Sequence, residues 1–158
     1  SLEQFKYVNI GKSRHRGVEA GVRFYLEPGA NVFVNYTRQS ATSRFGENMG
    51  KQLKAIPRDI ITSGISTTRA SGLNSSLILK SANKIFLDDA NTITLPNYTT
   101  LDAKISYQYG VISAAVEALN LLNRSYSTTG YPDTSGSGLV YYYPAAGRGV
   151  RFSLNIQM

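Results

Sequence analysis

The 158-residue chain has no cysteine and no tryptophan, a single histidine and two methionines. Without cysteine there is no disulfide framework, no thiolate nucleophile and no thiolate metal site. No apolar run reaches the ~18 residues that a membrane-spanning helix requires, and residues that favour helices are sparse. Charged residues make up only 17% of the chain, with a formal net charge of +7. The Lys and Arg residues are scattered rather than gathered into a stripe, which argues against a nucleic-acid partner. His15 falls in a stretch read as a basic hairpin turn, with no acidic neighbour beside it. A hydrolytic site therefore lacks its oriented base, and no catalytic residue, cofactor or metal site is expected. The start, Ser1-Leu2-Glu3-Gln4, has no basic segment followed by an apolar run, so no secretory leader is visible.

What the chain does have is Val, Ile, Thr, Tyr and Phe, punctuated by 14 Gly and 5 Pro, which is an all-β composition. Segments of about ten residues alternate polar and apolar, as strands with one wet and one greasy face must. In Tyr98–Tyr109, Leu101, Ala103, Ile105, Tyr107 and Tyr109 oppose Thr100, Asp102, Lys104, Ser106 and Gln108. Gly110 then marks a tight turn. Ile112, Ala114, Val116 and Ala118 follow against Ser113 and Glu117, and Val150, Phe152, Leu154, Ile156 and Met158 stand against Arg151, Ser153, Asn155 and Gln157. Val18–Leu26 alternates as well, with Glu19 on its polar side. Asn31–Ser40, Pro57–Ala70 and Gly72–Asn83 follow more loosely, and a short first strand at Phe5–Ile10 brings the count to eight.

After the first hairpin, placed at Gly11–Arg14, connections alternate strictly between short and long. The short ones are Glu27-Pro28-Gly29, Ser71 and Gly110; the long ones are Ala41–Ile56, Lys84–Asn97 and Leu122–Ala146. Tight turns at one end and extended loops at the other characterise outer-membrane barrels, and the segment lengths match the ~9–11 residues of a tilted membrane strand. The expected fold is therefore an antiparallel transmembrane β-barrel. Closure in lipid satisfies both the sheet edges and the backbone polar groups.

Among polar-face residues, Glu19, Asp102, Lys104, Glu117 and Arg151 are expected to face the lumen, either pairing across strands or meeting whatever fills the barrel. In the long loops, Tyr126, Tyr131, Tyr141, Tyr142 and Tyr143 offer stacking surfaces, and Arg44, Arg124 and Arg148 offer charge-assisted hydrogen bonds to an anionic solute. Asp88-Asp89 lacks the ligand spacing of a calcium loop and reads as solvated loop charge. Gly46–Gly50 has no following Lys-Ser/Thr and no helix, so it is a flexible loop and not a phosphate cradle.

Five stretches in order resemble the β-barrel of TonB-dependent receptors. They are Tyr7–Glu19, containing Asn9, Gly11 and Gly17-Val18-Glu19; Ile56-Pro57-Arg58; Leu95-Pro96-Asn97-Tyr98 with Asp102 and Tyr107; Asn120-Leu121-Leu122-Asn123-Arg124-Ser125-Tyr126; and Tyr143-Pro144-Ala145-Ala146-Gly147-Arg148. The resemblance implies that residues 1–158 form about the last eight strands of a 22-stranded barrel in the outer membrane of a Gram-negative bacterium. It further implies a plug domain and a TonB-contacting segment that this chain does not contain. The implied partners are outer-membrane lipid, the plug and the rest of the barrel, TonB through the missing N-terminal part, and a metal chelate such as a ferric siderophore. Such barrels usually end in an aromatic residue, and Met158 stands in that phase. Two other readings are a self-contained eight-stranded barrel with a structural or adhesion role, and a barrel hydrolase, against which the unpaired His15 counts.

Overall fold

The computed structural model describes residues 11–27, 29–133, 135 and 137–157. Seven long antiparallel strands lie side by side in the order β1 (Ser13–Glu27), β2 (Ala30–Ser43), β3 (Asp59–Thr68), β4 (Leu73–Asn83), β7 (Tyr98–Tyr109), β8 (Ile112–Leu119) and β11 (Gly149–Ile156). Two small hairpins, β5 (Ile85–Phe86) with β6 (Thr94–Leu95) and β9 (Ser127–Pro132) with β10 (Val140–Pro144), sit within the long connections. Among the described residues the main sheet stays open, with β1 and β11 at its two edges.

The alternation in sequence becomes two continuous surfaces because the register lines up like with like. One row across all seven strands reads Phe24, Val32, Ile65, Leu77, Ala103, Ala118 and Val150. The next residue along reads Tyr25, Asn31, Ser66, Ser76, Lys104, Glu117 and Arg151. A slip of one residue would exchange the faces. The apolar face is bare: Val18 is 68% exposed, Phe152 76% and Leu154 68%. Leaving a large apolar side chain in water instead of burying it forgoes about 1.5–3 kcal/mol. A whole face of such residues fits a hydrocarbon surround and not an aqueous one.

The short turns carry the conformational demands. Gly110 (φ +56°) follows β7 directly, and β8 begins two residues later. Gly72 (φ +89°) lies so close to β7 that a Cβ there would stand 2.1 Å from the Gln108 carbonyl oxygen. Only glycine satisfies both the dihedral and the approach.

Four readings need correction. Ser13 and Arg14, placed in a turn, already belong to β1, and so does His15. The turn assigned to Ser71 spans Arg69 to Gly72, closed by Gly72 N–H donating to the Arg69 carbonyl at 2.9 Å. The connections Lys84–Asn97 and Leu122–Ala146 contain hairpins and are not plain loops. Strand Pro57–Ala70 is shorter, starting at Asp59 and ending at Thr68. The proposed first strand, Phe5–Ile10, and the terminal Met158 lie outside the described residues.

Candidate functional site

Three long connections, residues 44–58, 84–97 and 120–148, leave the same end of the sheet. They are knitted into one assembly. Ile85, Leu87 and Leu95 form a small apolar core, 2–3% exposed, against which Ile93, Tyr98 and Val140 pack. Val140 comes from the β9–β10 hairpin, so this core joins the second long connection to the third. Asn91 links the second to the first: its Oδ1 accepts the Gln52 N–H and its Nδ2 donates to the Gln52 carbonyl, both at 2.7 Å. An Asn side chain thus stands in for a strand neighbour, and its left-handed φ of +60° is one that Asn adopts readily.

Asp88 organises the turn between β5 and β6. Its carboxylate accepts the Thr92 and Ile93 N–H groups at 2.9 and 2.8 Å and the Thr92 hydroxyl at 2.7 Å. Burial pushes its pKa up, but the bonds from Ile93 and Thr92 outweigh that and hold it below the ordinary carboxylate value. Asp89 instead pairs with Lys54 at 3.1 Å. The two adjacent carboxylates are therefore engaged separately, as loop charges.

A polar chain runs from the sheet into the third connection. Lys80 Nζ lies 3.3 Å from Asp102 Oδ2, and Asp102 Oδ1 accepts the Asn120 N–H at 2.9 Å. The buried Asn120 side chain accepts the Arg124 N–H at 3.0 Å and donates to the Arg124 carbonyl at 2.9 Å. Asn120 and Asn123 both take φ +49°. The Asn120–Tyr126 motif is thus a turn that sets Arg124 and Tyr126 in place. Sequence reasoning missed Lys80 and the role of Asn120. Lys80 lay in a loosely alternating strand, and Asn120 was legible only as a motif letter.

Two recesses flank Tyr126, whose ring stacks on Tyr98 with centroids 4.4 Å apart. One, of about 320 Å³, lies on the polar face and is lined by Lys80, Thr100, Asp102 and Asn120 among others. The other, of about 470 Å³, is a groove among the loops lined by Arg124, Tyr126, Tyr142 and the Leu95–Asn97 segment. Tyr126 and Gly147 border both.

Of the eight residues expected to meet a solute, Arg124, Tyr126 and Tyr142 line this groove. Tyr131 stacks with Tyr141 and Tyr143 at 5.3 and 6.0 Å on one face of the β9–β10 hairpin. Tyr142, opposite Gly130, is turned to the other face by strand alternation. Arg44 and Arg148 do not line the groove, and Arg44 stands beside Arg14. Among the residues expected to face the lumen, Arg151 pairs with Glu117 at 3.1 Å, and Lys104 is the register partner of Glu117 on its other side. Asp102 pairs with Lys80, and Glu19 borders a shallow recess with His15 and Gln39. His15 Nε2 lies 3.2 Å from Ser13 Oγ, two residues away on an exposed stretch of β1.

The family model for the TonB-dependent receptor-like β-barrel matches residues 1–123. This chain belongs to that family. Relatives of the barrel include the ferrioxamine B receptor of Salmonella typhimurium, 28% identical over 76% of this chain and 19% of the relative. The ferrioxamine receptor of Yersinia enterocolitica is 26% identical over 70% of this chain and 16% of the relative. The chain thus spans about a fifth of the length of the curated relatives it matches. Among solved structures, the ferric yersiniabactin uptake receptor FyuA of Yersinia pestis superposes with a TM-score of 0.76 and 25% identity, over 92% of this chain and 24% of FyuA. The ferric citrate transporter FecA superposes with a TM-score of 0.74 at 20% identity, covering 91% of this chain and 24% of FecA. The barrel is an outer-membrane one. Its bare apolar face is the lipid surface, its polar face lines the interior, and its long connections are the outer loops.

Proposed function

We propose that this chain forms wall and outer-loop structure of a TonB-dependent importer of a ferric siderophore or a similar metal chelate. The observation that carries the reading is Tyr126, held by the Asn120 turn, standing between the outer groove and the polar recess below it. A solute caught by Arg124 and the faces of Tyr126 and Tyr142 is one aromatic ring away from the barrel interior. The curated relatives bind ferrioxamines, by their names, which makes a ferric hydroxamate the first solute to try. In this reading the chain performs no bond chemistry. Movement through the barrel is driven by TonB acting on a plug domain, and both act through parts of the receptor outside these residues.

The test is radioiron uptake from ferrioxamine B by iron-starved cells carrying the intact receptor. Arg124→Gln with Tyr126→Ala is expected to weaken binding about tenfold or more, since aromatic and Arg anchors carry most of the energy at such sites. Uptake should vanish without TonB. Uptake independent of TonB, or unchanged in the double variant, would overturn the reading.

A self-contained eight-stranded barrel finds less support. The seven strands described leave two sheet edges apart, and seven strands with a charged, small-residue inner face would enclose an underfilled interior.

A further inference from the structure

On β1 and β2 the lipid surface does not end in aromatic residues at the outer rim. It ends in arginine. The residues of β1 that share a face with Val18, Ala20, Val22 and Phe24 continue upward as Arg16 and Arg14, with no register shift between Ser13 and Tyr25. On β2 the same face carries Arg38, the partner of Val18, then Ser40 and Thr42, the partners of Arg16 and Arg14. Arg44 follows at the next position in the same phase, its N–H bonded to the Lys12 carbonyl at 2.7 Å.

The heights are informative. Val18 to Leu26 extends about 26 Å along the strand at ~3.3 Å per residue, which at the ~40° tilt of such barrels is roughly 20 Å of height and fills most of the ~25 Å apolar band. At that tilt Arg16 stands roughly 5 Å above Val18 and Arg14 roughly 10 Å above it, where lipid headgroups begin. All four arginines are exposed. The charge of Arg14 is opposed by those of Arg44 and then Arg16. The acid within ion-pair distance of the group, among the described residues, is Asp59, 4.0 Å from Arg38 and already accepting the Tyr36 hydroxyl at 2.7 Å. One carboxylate against four guanidinium groups leaves a strong positive excess on a surface that must meet lipid. The opposite rim is different in balance: there the same face carries Phe24, Leu73, Tyr107 and Tyr109, with Arg69, bonded to the Leu73 carbonyl, as a single arginine among them.

We infer that Arg14, Arg16, Arg38 and Arg44 form a binding site for the phosphorylated headgroup of a lipid in the outer leaflet. Like charges held together at an exposed rim are stabilised by a polyvalent anion, and the planar guanidinium matches phosphate with two parallel hydrogen bonds. The occupant is a lipid rather than a free anion because the site is continuous with the apolar band. Its acyl chains lie along Val18, Val22 and Val34 while its phosphates meet the arginines.

The test uses the intact receptor in phosphatidylcholine nanodiscs doped with bis-phosphorylated lipid A, with lipid retention read by native mass spectrometry after detergent extraction. Retention of lipid A should fall about tenfold in Arg14→Gln/Arg16→Gln and stay near wild type in Arg124→Gln, which alters the solute groove instead. Arg14→Lys/Arg16→Lys should fall between, because charge is kept and the two-pronged geometry is lost. Dephosphorylated lipid A retained as well as the phosphorylated form, or equal retention by the Gln variant, overturns the proposal. So does displacement by millimolar inorganic phosphate, which would mark a free-anion site. Solute uptake plays no part in the readout, so this result stands or falls apart from the transport reading.

Discussion

The sheet and the outer loops solve opposite problems with the same amino acids. In the loops, Leu87 is 2% exposed and packs with Ile85 and Leu95 into a small core. On the sheet, Phe152 is 76% exposed and has no protein layer over it among the described residues. The loops stand in water and must bury their own apolar groups. The sheet stands in hydrocarbon, and lipid is its second layer. Burial thus reports the solvent each region was built for. The loops also need side chains to close backbone hydrogen bonds, as Asp88, Asn91 and Asn120 do, whereas the five inner strands of the described sheet have a neighbour on each side.

That contrast can be broken from the loop side first. Leu87→Ala removes the most buried side chain of the loop core and should cost about 2–5 kcal/mol of local stability. Hydrogen exchange should then accelerate at Leu87, Ile93 and the β9–β10 hairpin while β7 and β8 stay protected. Equal acceleration in the sheet would mean that the loops have no separate core. From the sheet side, Leu154→Ala should be mild in lipid, whereas Leu154→Arg should cost about 2–4 kcal/mol near the bilayer midplane. Reversible unfolding of the intact barrel in vesicles measures both, and a harmless arginine would contradict the lipid-facing assignment.

A smaller effect separates charge from packing within the loops. Asp88→Asn keeps the shape but loses the charged acceptor of two N–H groups, a change of about 1 kcal/mol. Because the folded pKa of Asp88 is lowered, its contribution is complete above the ordinary carboxylate value near ~3.9. It is lost as pH falls through the lower folded value. Amide protection at Thr92 and Ile93 should decline in that acid range in the wild type and stay flat in the variant; matching declines would remove Asp88 as the cause. The smallest effect belongs to the sheet's inner face. A double-mutant cycle on Lys80 and Asp102, whose side chains are 55% and 20% exposed, should give about 0.2–1 kcal/mol. A larger coupling would show that the Asp102–Asn120 link transmits the pair's energy into the loop.

The strands were legible because a sheet with two different solvents must alternate, and alternation survives in a linear string. Tyr98–Tyr109 shows this most clearly and keeps its bounds as β7, while the segment read from Val150 to Met158 begins one residue earlier and its strand ends at Ile156 among the described residues. The loops were legible only as loops. Nothing in Lys84–Asn97 reveals that Leu87 and Leu95 will meet Val140, because that contact joins segments separated by two whole strands. For the same reason Tyr141, Tyr142 and Tyr143 read as one cluster, although Tyr142 lines the groove and its neighbours stack on the other face. Arg44 looked like a loop anchor, yet its N–H bonds to the Lys12 carbonyl and its charge opposes that of Arg14, which sets it beside β1 and away from the groove.

Periodicity, turn residues and motif order therefore determined the all-β fold, its two faces and its membrane end-to-end polarity, since these depend on neighbours one to four positions apart. Tertiary structure alone decided which loop residues share a groove, which arginines face lipid and which carboxylates are already engaged. Those outcomes depend on distances across the sheet and between loops, and no local pattern in a chain encodes them.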